Sequence, residues 1–179
     1  DMLERVCAVP RETECDPREQ ALRWLTPARR LARGVEARLR AAVTRVVELQ
    51  PCLRDARPEH FLFEGERLSG LVDFGAMGIE TVAADLARLL AEWLEGDSPA
   101  RRDALAAYEA IRPLDPSESA LIEVFEYSSA LLIGERWARW HYLEHRTFDD
   151  PAAVTNGIEK SAARLERLLQ TATGAGLCN

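Results

Sequence analysis

Apolar residues recur along most of the chain with a helical period. Ala21, Leu22, Trp24 and Leu25, then Leu31, Val35, Leu39, Val43 and Val46, fall mostly three or four positions apart. That spacing puts side chains on one face of an α-helix. Asp16-Pro17 has the form of an N-cap followed by a proline in the first turn, which predicts a first helix from there to Leu25. Pro27 is expected to end or kink it, because proline removes a backbone donor from the helix ladder. A second helical stretch is predicted over 28–49, with the arginines between Arg29 and Arg45 as its solvated face.

The pattern changes at Pro51. Phe61-Leu62-Phe63 and the stretch from Leu68 to Phe74 are short apolar runs, separated by Glu64-Gly65-Glu66-Arg67. Two such runs about a glycine-bearing turn predict a β-hairpin, the one strand pair the sequence suggests. Helical spacing then returns. Thr81 is placed to cap 82–95, where Val82, Leu86, Leu89, Leu90, Trp93 and Leu94 form an apolar face. Ser98-Pro99, Asp115-Pro116 and Asp150-Pro151 each read as a helix start. They predict helices from 98 to before Pro113, from 116 to about Arg146, and from 151 until it fades near Gly174, with a frayed tail from Thr171. The predicted fold class is mainly α with one small β-hairpin. A single domain over 1–179 is expected, with its chemistry in 50–95 and a helical subregion over 98–173.

Composition narrows the function classes. With 179 residues, 47% hydrophobic and 30% charged, the chain is of ordinary globular type. Its formal charge of -7 argues against a nucleic-acid partner. No apolar run approaches the roughly 18 residues of a membrane span. Asp1 to Pro10 lacks the basic and apolar regions of a signal peptide, so a cytoplasmic setting is expected. Cys7, Cys15, Cys52 and Cys178 form no C-x-x-C pair. Two disulfides would need an oxidising compartment, and free thiols are expected instead. Of the 23 Lys and Arg residues only Lys160 is lysine, which excludes any mechanism needing a lysine earlier in the chain.

The candidate chemistry surrounds the hairpin. Asp55 lies in Leu53-Arg54-Asp55-Ala56-Arg57-Pro58-Glu59-His60, just before it, and Asp73 lies in Val72-Asp73-Phe74-Gly75, at its far end. A hairpin joins its two ends, so Asp55, His60 and Asp73 are expected to converge at one mouth. Two carboxylates there suit a metal-assisted reaction in which one holds a cation and the other takes a proton from a hydroxyl nucleophile. Turn-capping is the structural alternative for both aspartates. Arg54 and Arg57 flank Asp55 and could grip a phosphate through their guanidinium forks, or form surface salt bridges with Glu59 or Glu64.

This stretch resembles the C-terminal lobe of the aminoglycoside phosphotransferase and choline kinase-like family, within the protein-kinase-like fold. That family carries H-G-D-x-x-x-x-N, a hairpin, then [IV]-D-[FW]-[GD]. The intervals here, five residues from Asp55 to His60 and 18 from Asp55 to Asp73, suit that pattern. The resemblance implies phosphoryl transfer from ATP to a small-molecule hydroxyl. It makes Asp55 the catalytic base, Asp73 a Mg²⁺ ligand and His60 the occupant of the second metal corner. Ala84-Asp85-Leu86-Ala87 resembles the family's D-[LIV]-A helix, which gives Asp85 a structural role supporting the catalytic loop. The chain departs from the motif at Leu53, Arg54 and His60, which stand for His, Gly and Asn. An imidazole nitrogen is a poorer Mg²⁺ ligand than an oxygen. His60 is therefore read as a metal or phosphate contact, a hydrogen-bond partner of Asp55, or a buried satisfied histidine.

No glycine cluster and no lysine precede Asp55, although a kinase-type nucleotide lobe needs both. A truncated chain, inactive alone, is expected. The runner-up is a kinase-like module that binds a partner without catalysis. A remote alternative is a zinc peptidase, from His141-Tyr142-Leu143-Glu144-His145, which matches H-x-x-E-H. It would need a third ligand such as Glu159 or Glu166. Glu123, Glu126, Glu135 and Trp137 are further candidates for receiving a cationic substrate, with helix packing as their alternative.

Overall fold

The computed structural model describes residues 17–94, 97–150 and 152–174. In chain order these form α1 (Pro17–Ala42), β1 (Gln50–Cys52), β2 (Phe61–Glu64), β3 (Arg67–Leu71), β4 (Gly78–Glu80), α2 (Val82–Trp93), α3 (Ser98–Glu109), α4 (Pro116–Tyr142) and α5 (Ala153–Gly174). The fold is mainly α with a small hairpin, as the sequence predicts. No helix among the described residues is long and apolar enough to cross a membrane. Asp16 and the cysteines Cys7, Cys15 and Cys178 lie outside the described residues.

Several expectations need correction. Helix α1 neither stops nor restarts at Pro27 but runs through it. Proline there costs one ladder hydrogen bond, while Trp24, Ala28, Leu31 and Val35 on either side are buried and hold the helix. The helix then ends at Ala42, and 43–49 is not helical. Val43 and Val46 continue the apolar spacing but are 83% and 89% exposed, so nothing buries them. Finally, a second strand pair exists: β1 and β4 run antiparallel with Gln50 opposite Glu80 and Cys52 opposite Gly78. Three-residue strands, one holding a proline and the other a glycine, carry too few alternations to show in the sequence.

The described residues divide into two compact units, one within 41–126 and one of those from 17 to 40 together with those from 127 to 174. In the first, α2 buries Val82, Ala83, Leu86, Ala87 and Leu90 against Leu121 and Ile122 of α4. The Thr81 hydroxyl accepts the Ala83 N–H at 3.4 Å and caps α2. Asp97 caps α3 by accepting the Ala100 N–H at 2.9 Å. At the start of α4, Asp115 accepts the N–H groups of Ser117 and Glu118 at 2.6 and 2.8 Å, and Glu118 accepts the Asp115 N–H at 3.1 Å. This reciprocal capping box satisfies the donors of the first turn. Glu118 is 2% exposed and is met by both ends of the Arg112 fork at 2.7 and 3.0 Å.

The other unit centres on Trp24, Leu31, Val35, Tyr127, Ala138, Tyr142, Ile158 and Leu165. Gly134 and Gly157 are seats for indoles: a Cβ at 134 would overlap Trp24 and one at 157 would overlap Trp137. Trp137, Trp140 and Phe148 pack ring on ring, with centroids 5.3 to 6.1 Å apart. Helix α4 ends at Tyr142, short of the expected Arg146, and His145 has a φ of 50°.

Candidate active site

The hairpin positions the site. Gly65, with φ 62°, makes the β2–β3 turn in a conformation that costs glycine nothing. An irregular register between Leu62 and Phe63 sets Ser69 as the extra residue of β3, and its hydroxyl donates to the Leu62 carbonyl at 3.2 Å. At the open end the Val72 N–H donates to the His60 carbonyl at 3.0 Å, so the residues before β2 and after β3 meet. Asp73 follows in the left-handed region, φ 59° and ψ 66°. That conformation is strained for most residues and better tolerated by Asp and Asn.

The loop before the hairpin is clamped from α2. Asp85, in the first turn of that helix, accepts the N–H groups of Leu53 and Arg54 at 2.6 and 2.7 Å. Arg54 also adopts a positive φ of 62°. Its guanidinium lies against Gly78, where an added Cβ would sit 2.8 Å from Nη1. Behind the loop the buried Cys52 thiol donates to the Glu80 carbonyl at 3.4 Å. Burial first, then the Asp85 and Glu80 carboxylates, push its pKa up, so it stays protonated.

Asp55 emerges from this clamped loop 28% exposed. Its Oδ1 is met by Arg57 Nε at 3.0 Å and by Arg88 Nη2 at 2.9 Å. No hydrogen bond from the described residues reaches Oδ2. Arg88 stands one turn after Asp85 on α2, so a single helix face grips both the loop backbone and the carboxylate. Sequence reasoning missed Arg88. The available signal was its place three residues after Asp85 in Asp85-Leu86-Ala87-Arg88.

His60 links the two aspartates. Its Nδ1 lies 2.9 Å from the Asp55 backbone oxygen. A carbonyl only accepts, so this contact requires a proton on Nδ1. Nε2 then lies 3.5 Å from Asp73 Oδ2. The imidazole is 13% exposed and the Asp73 carboxylate 62%, so the corner opens outward past Asp73.

Asp55, His60 and Asp73 therefore converge. Arg57 pairs with Asp55 and, at 3.6 Å, with Glu59. Glu126 is paired with Arg101 and Glu135 with Arg139. Trp137 packs among aromatic rings. The zinc-peptidase arrangement is not formed. His141 is in the last turn of α4 while His145 lies beyond the helix in a left-handed conformation, so the pair does not share a helix face. Glu144 is held by Arg139 and Arg146. Among the described residues no group of three or more His, Cys, Asp or Glu side chains could hold a metal ion.

A cation at the hairpin mouth would thus have one carboxylate and one imidazole from the protein. Its other ligands would be phosphate oxygens and water, which is how kinase-type sites complete the shell. The donor set fits a divalent cation carried with a nucleotide rather than one caged by protein alone.

The chain is similar to homoserine kinases of Parvibaculum lavamentivorans and Methylobacterium radiotolerans, each 37% identical over 82 residues, and of Mesorhizobium japonicum, 35% identical over 82 residues. Each match covers 43% of this chain and 26% of the relative, so the chain matches about a quarter of the length of these curated relatives. No solved structure matches. The profile of the phosphotransferase enzyme family matches residues 7–122, which take in the clamped loop, the hairpin, Asp73 and the bracing helix. That match runs over more than half of the sequence, and on it the chain belongs to the phosphotransferase enzyme family.

Proposed function

We propose that the protein carrying this chain transfers the γ-phosphoryl group of ATP to the hydroxyl of a small molecule, with the chemistry centred on the hairpin mouth. The observation that carries this reading is the convergence of Asp55 and Asp73 through His60, at 2.9 and 3.5 Å. Asp55 is the base. Two arginines hold Oδ1, and Oδ2 is left to accept the proton of the acceptor hydroxyl. The hydroxyl oxygen bonds to the γ-phosphorus while the bond to the β–γ bridging oxygen breaks and ADP departs. Asp73, with His60 beside it, would hold the divalent cation, expected to be Mg²⁺, that shields the phosphate charge. The family's other requirements, a glycine-bearing loop and a lysine on the nucleotide, would have to come from outside the described residues.

The homoserine kinases among the relatives make a small hydroxy amino acid the first acceptor to test, ahead of an aminoglycoside. The test is phosphotransfer by the intact protein across hydroxyl acceptors with labelled ATP. Asp55→Asn should lower kcat by about 10²- to 10⁴-fold, the usual worth of a positioned proton acceptor, with the KM for ATP little changed. Asp73→Asn should remove metal-dependent nucleotide binding. Unchanged turnover in Asp55→Asn removes the base assignment. No transfer by the wild type to any acceptor, together with retained nucleotide binding, favours the non-catalytic module instead, a reading motivated by His60 in the motif's Asn position.

A further inference from the structure

A cavity of about 320 Å³ opens between α1 and α5, inside the unit that both helices share. That volume lies at the small end of the range for ligand sites. Arg23 lines it from α1, and Glu159, Ala162, Ala163 and Glu166 line it from α5. Positions 159, 163 and 166 follow i, i+4, i+7 spacing, so they stand in one stripe along the helix. The two glutamates mark the ends of the stripe, about 10 Å apart along the axis at 1.5 Å per residue. The alanines between them make the notch, because a methyl group leaves open the space a longer side chain would fill. Ala162 is buried together with Ile158 and Leu165, so the floor belongs to the packed core of this unit.

The charges around the notch face one space without closing on each other. Among the described residues no ion pair or hydrogen bond joins Arg23 to either glutamate, or holds any of the three elsewhere. Other surface arginines of the unit do close: Arg40 on Glu36 and Arg139 on Glu135. Two carboxylates and one guanidinium about an open cavity call for the reverse set of charges, two cationic groups set apart on a chain and one carboxylate. We propose that this notch binds a dibasic α-amino acid of the lysine or ornithine type. The ligand carboxylate lies on the Arg23 fork, which suits a planar anion. The α-ammonium and the side-chain ammonium go to the two glutamates, and the methylene chain between them lies over Ala162 and Ala163. An amino acid with an apolar side chain leaves one glutamate unanswered, and a plain diamine sets positive charge against Arg23. Discrimination against both follows from what each fails to pair. The site uses no residue of the hairpin mouth, so it stands or falls apart from the phosphotransferase reading.

The test is calorimetric titration of the intact protein with lysine and ornithine. Norleucine, which lacks the second ammonium, and cadaverine, which lacks the carboxylate, are titrated beside them. At least one dibasic amino acid should bind, and norleucine and cadaverine should each bind about tenfold or more weakly, the scale of one lost charge-assisted contact. Arg23→Gln should weaken the dibasic amino acid by a similar factor and remove its advantage over cadaverine. Glu159→Gln and Glu166→Gln should each weaken it, and together remove its advantage over norleucine. All three side chains are exposed, so the variants should keep the wild-type melting temperature. Failure of both dibasic amino acids to bind the wild type overturns the proposal. So does norleucine or cadaverine binding as tightly as they do, or an affinity unchanged in all three variants. Phosphotransfer by a protein that binds neither amino acid removes the notch alone. Binding without phosphotransfer leaves the notch standing and removes the kinase reading.

Discussion

Single side chains decide how the site is held. Arg88 reaches Asp55 Oδ1 from α2 at 2.9 Å, and its Nε is buried with no hydrogen-bond partner. A buried donor without a partner costs about 1–3 kcal/mol, so the side chain sits there against its own solvation. Its contact holds Asp55 by Oδ1 and, in the proposed function, would keep Oδ2 toward the acceptor. Arg88→Met should therefore lower kcat of the intact protein by about 10²-fold, the scale of a small misplacement of a reacting group. The KM for ATP should stay within about twofold, and Arg88→Lys should restore part of the loss. Equal effects on kcat and KM, or no effect, would remove this positioning role. The convergence of the aspartates and His60 was legible in the sequence because motif spacing survives without any knowledge of packing. Arg88 was not, because an arginine on an amphipathic helix is ordinarily a solvated face and only the fold turns it inward. The glycine-to-arginine change at 54 was visible as a letter. Its consequence, a left-handed φ of 62° with the guanidinium lying against Gly78, was not.

At the level of elements, the helices were legible wherever a cap and an apolar stripe agreed. Thr81 before α2 and Asp115-Pro116 before α4 have both. Boundaries failed where one of the two signals stood alone. Pro27 is a breaker by chemistry, but buried neighbours on both sides outweigh one lost hydrogen bond. Val43 and Val46 have the stripe with no surface to cover it. The cap of α4 carries a pH signature. The Arg112 fork, and after it the Asp115 N–H, hold the buried Glu118 carboxyl below its ordinary range. A carboxyl lowered in the folded state adds stability that is complete above its unfolded pKa and disappears as pH falls through the folded one. Glu118→Gln should cost about 2–3 kcal/mol at neutral pH, through loss of charge-assisted bonds to Arg112. On acidification from about pH 5 to pH 3 the wild type should lose more of its melting temperature than the variant, closing the gap. Parallel melting curves down to pH 3 would show that the pair carries no such stability.

For the molecule as a whole, the fold class could be read from sequence and the Asp85 brace from the family resemblance, while the β1–β4 pair could not. The hairpin is local, and its turn and apolar runs declare it. The β1–β4 pair and the Asp85 clamp join residues 26 to 32 positions apart with almost no local pattern. Such contacts cannot be seen by any window that moves along the chain. Amide exchange can find them. In the wild type the Leu53 and Arg54 amides should exchange slowly, and Asp85→Asn should speed both while leaving the amides between β2 and β3 unchanged. Equal acceleration of both sets would mean that Asp85 supports the unit at large rather than this loop. The same clamp sets an order of assembly. Closing a ring of about thirty residues costs more chain entropy than closing a two-residue turn, and contacts distant in sequence slow folding. The hairpin can therefore form early, but Asp55 acquires its place only when α2 is already wound and docked. The Asp55 carboxylate is set among the last parts of this unit, so a nascent or partly folded chain displays a hairpin and helices but no organised loop around Asp55.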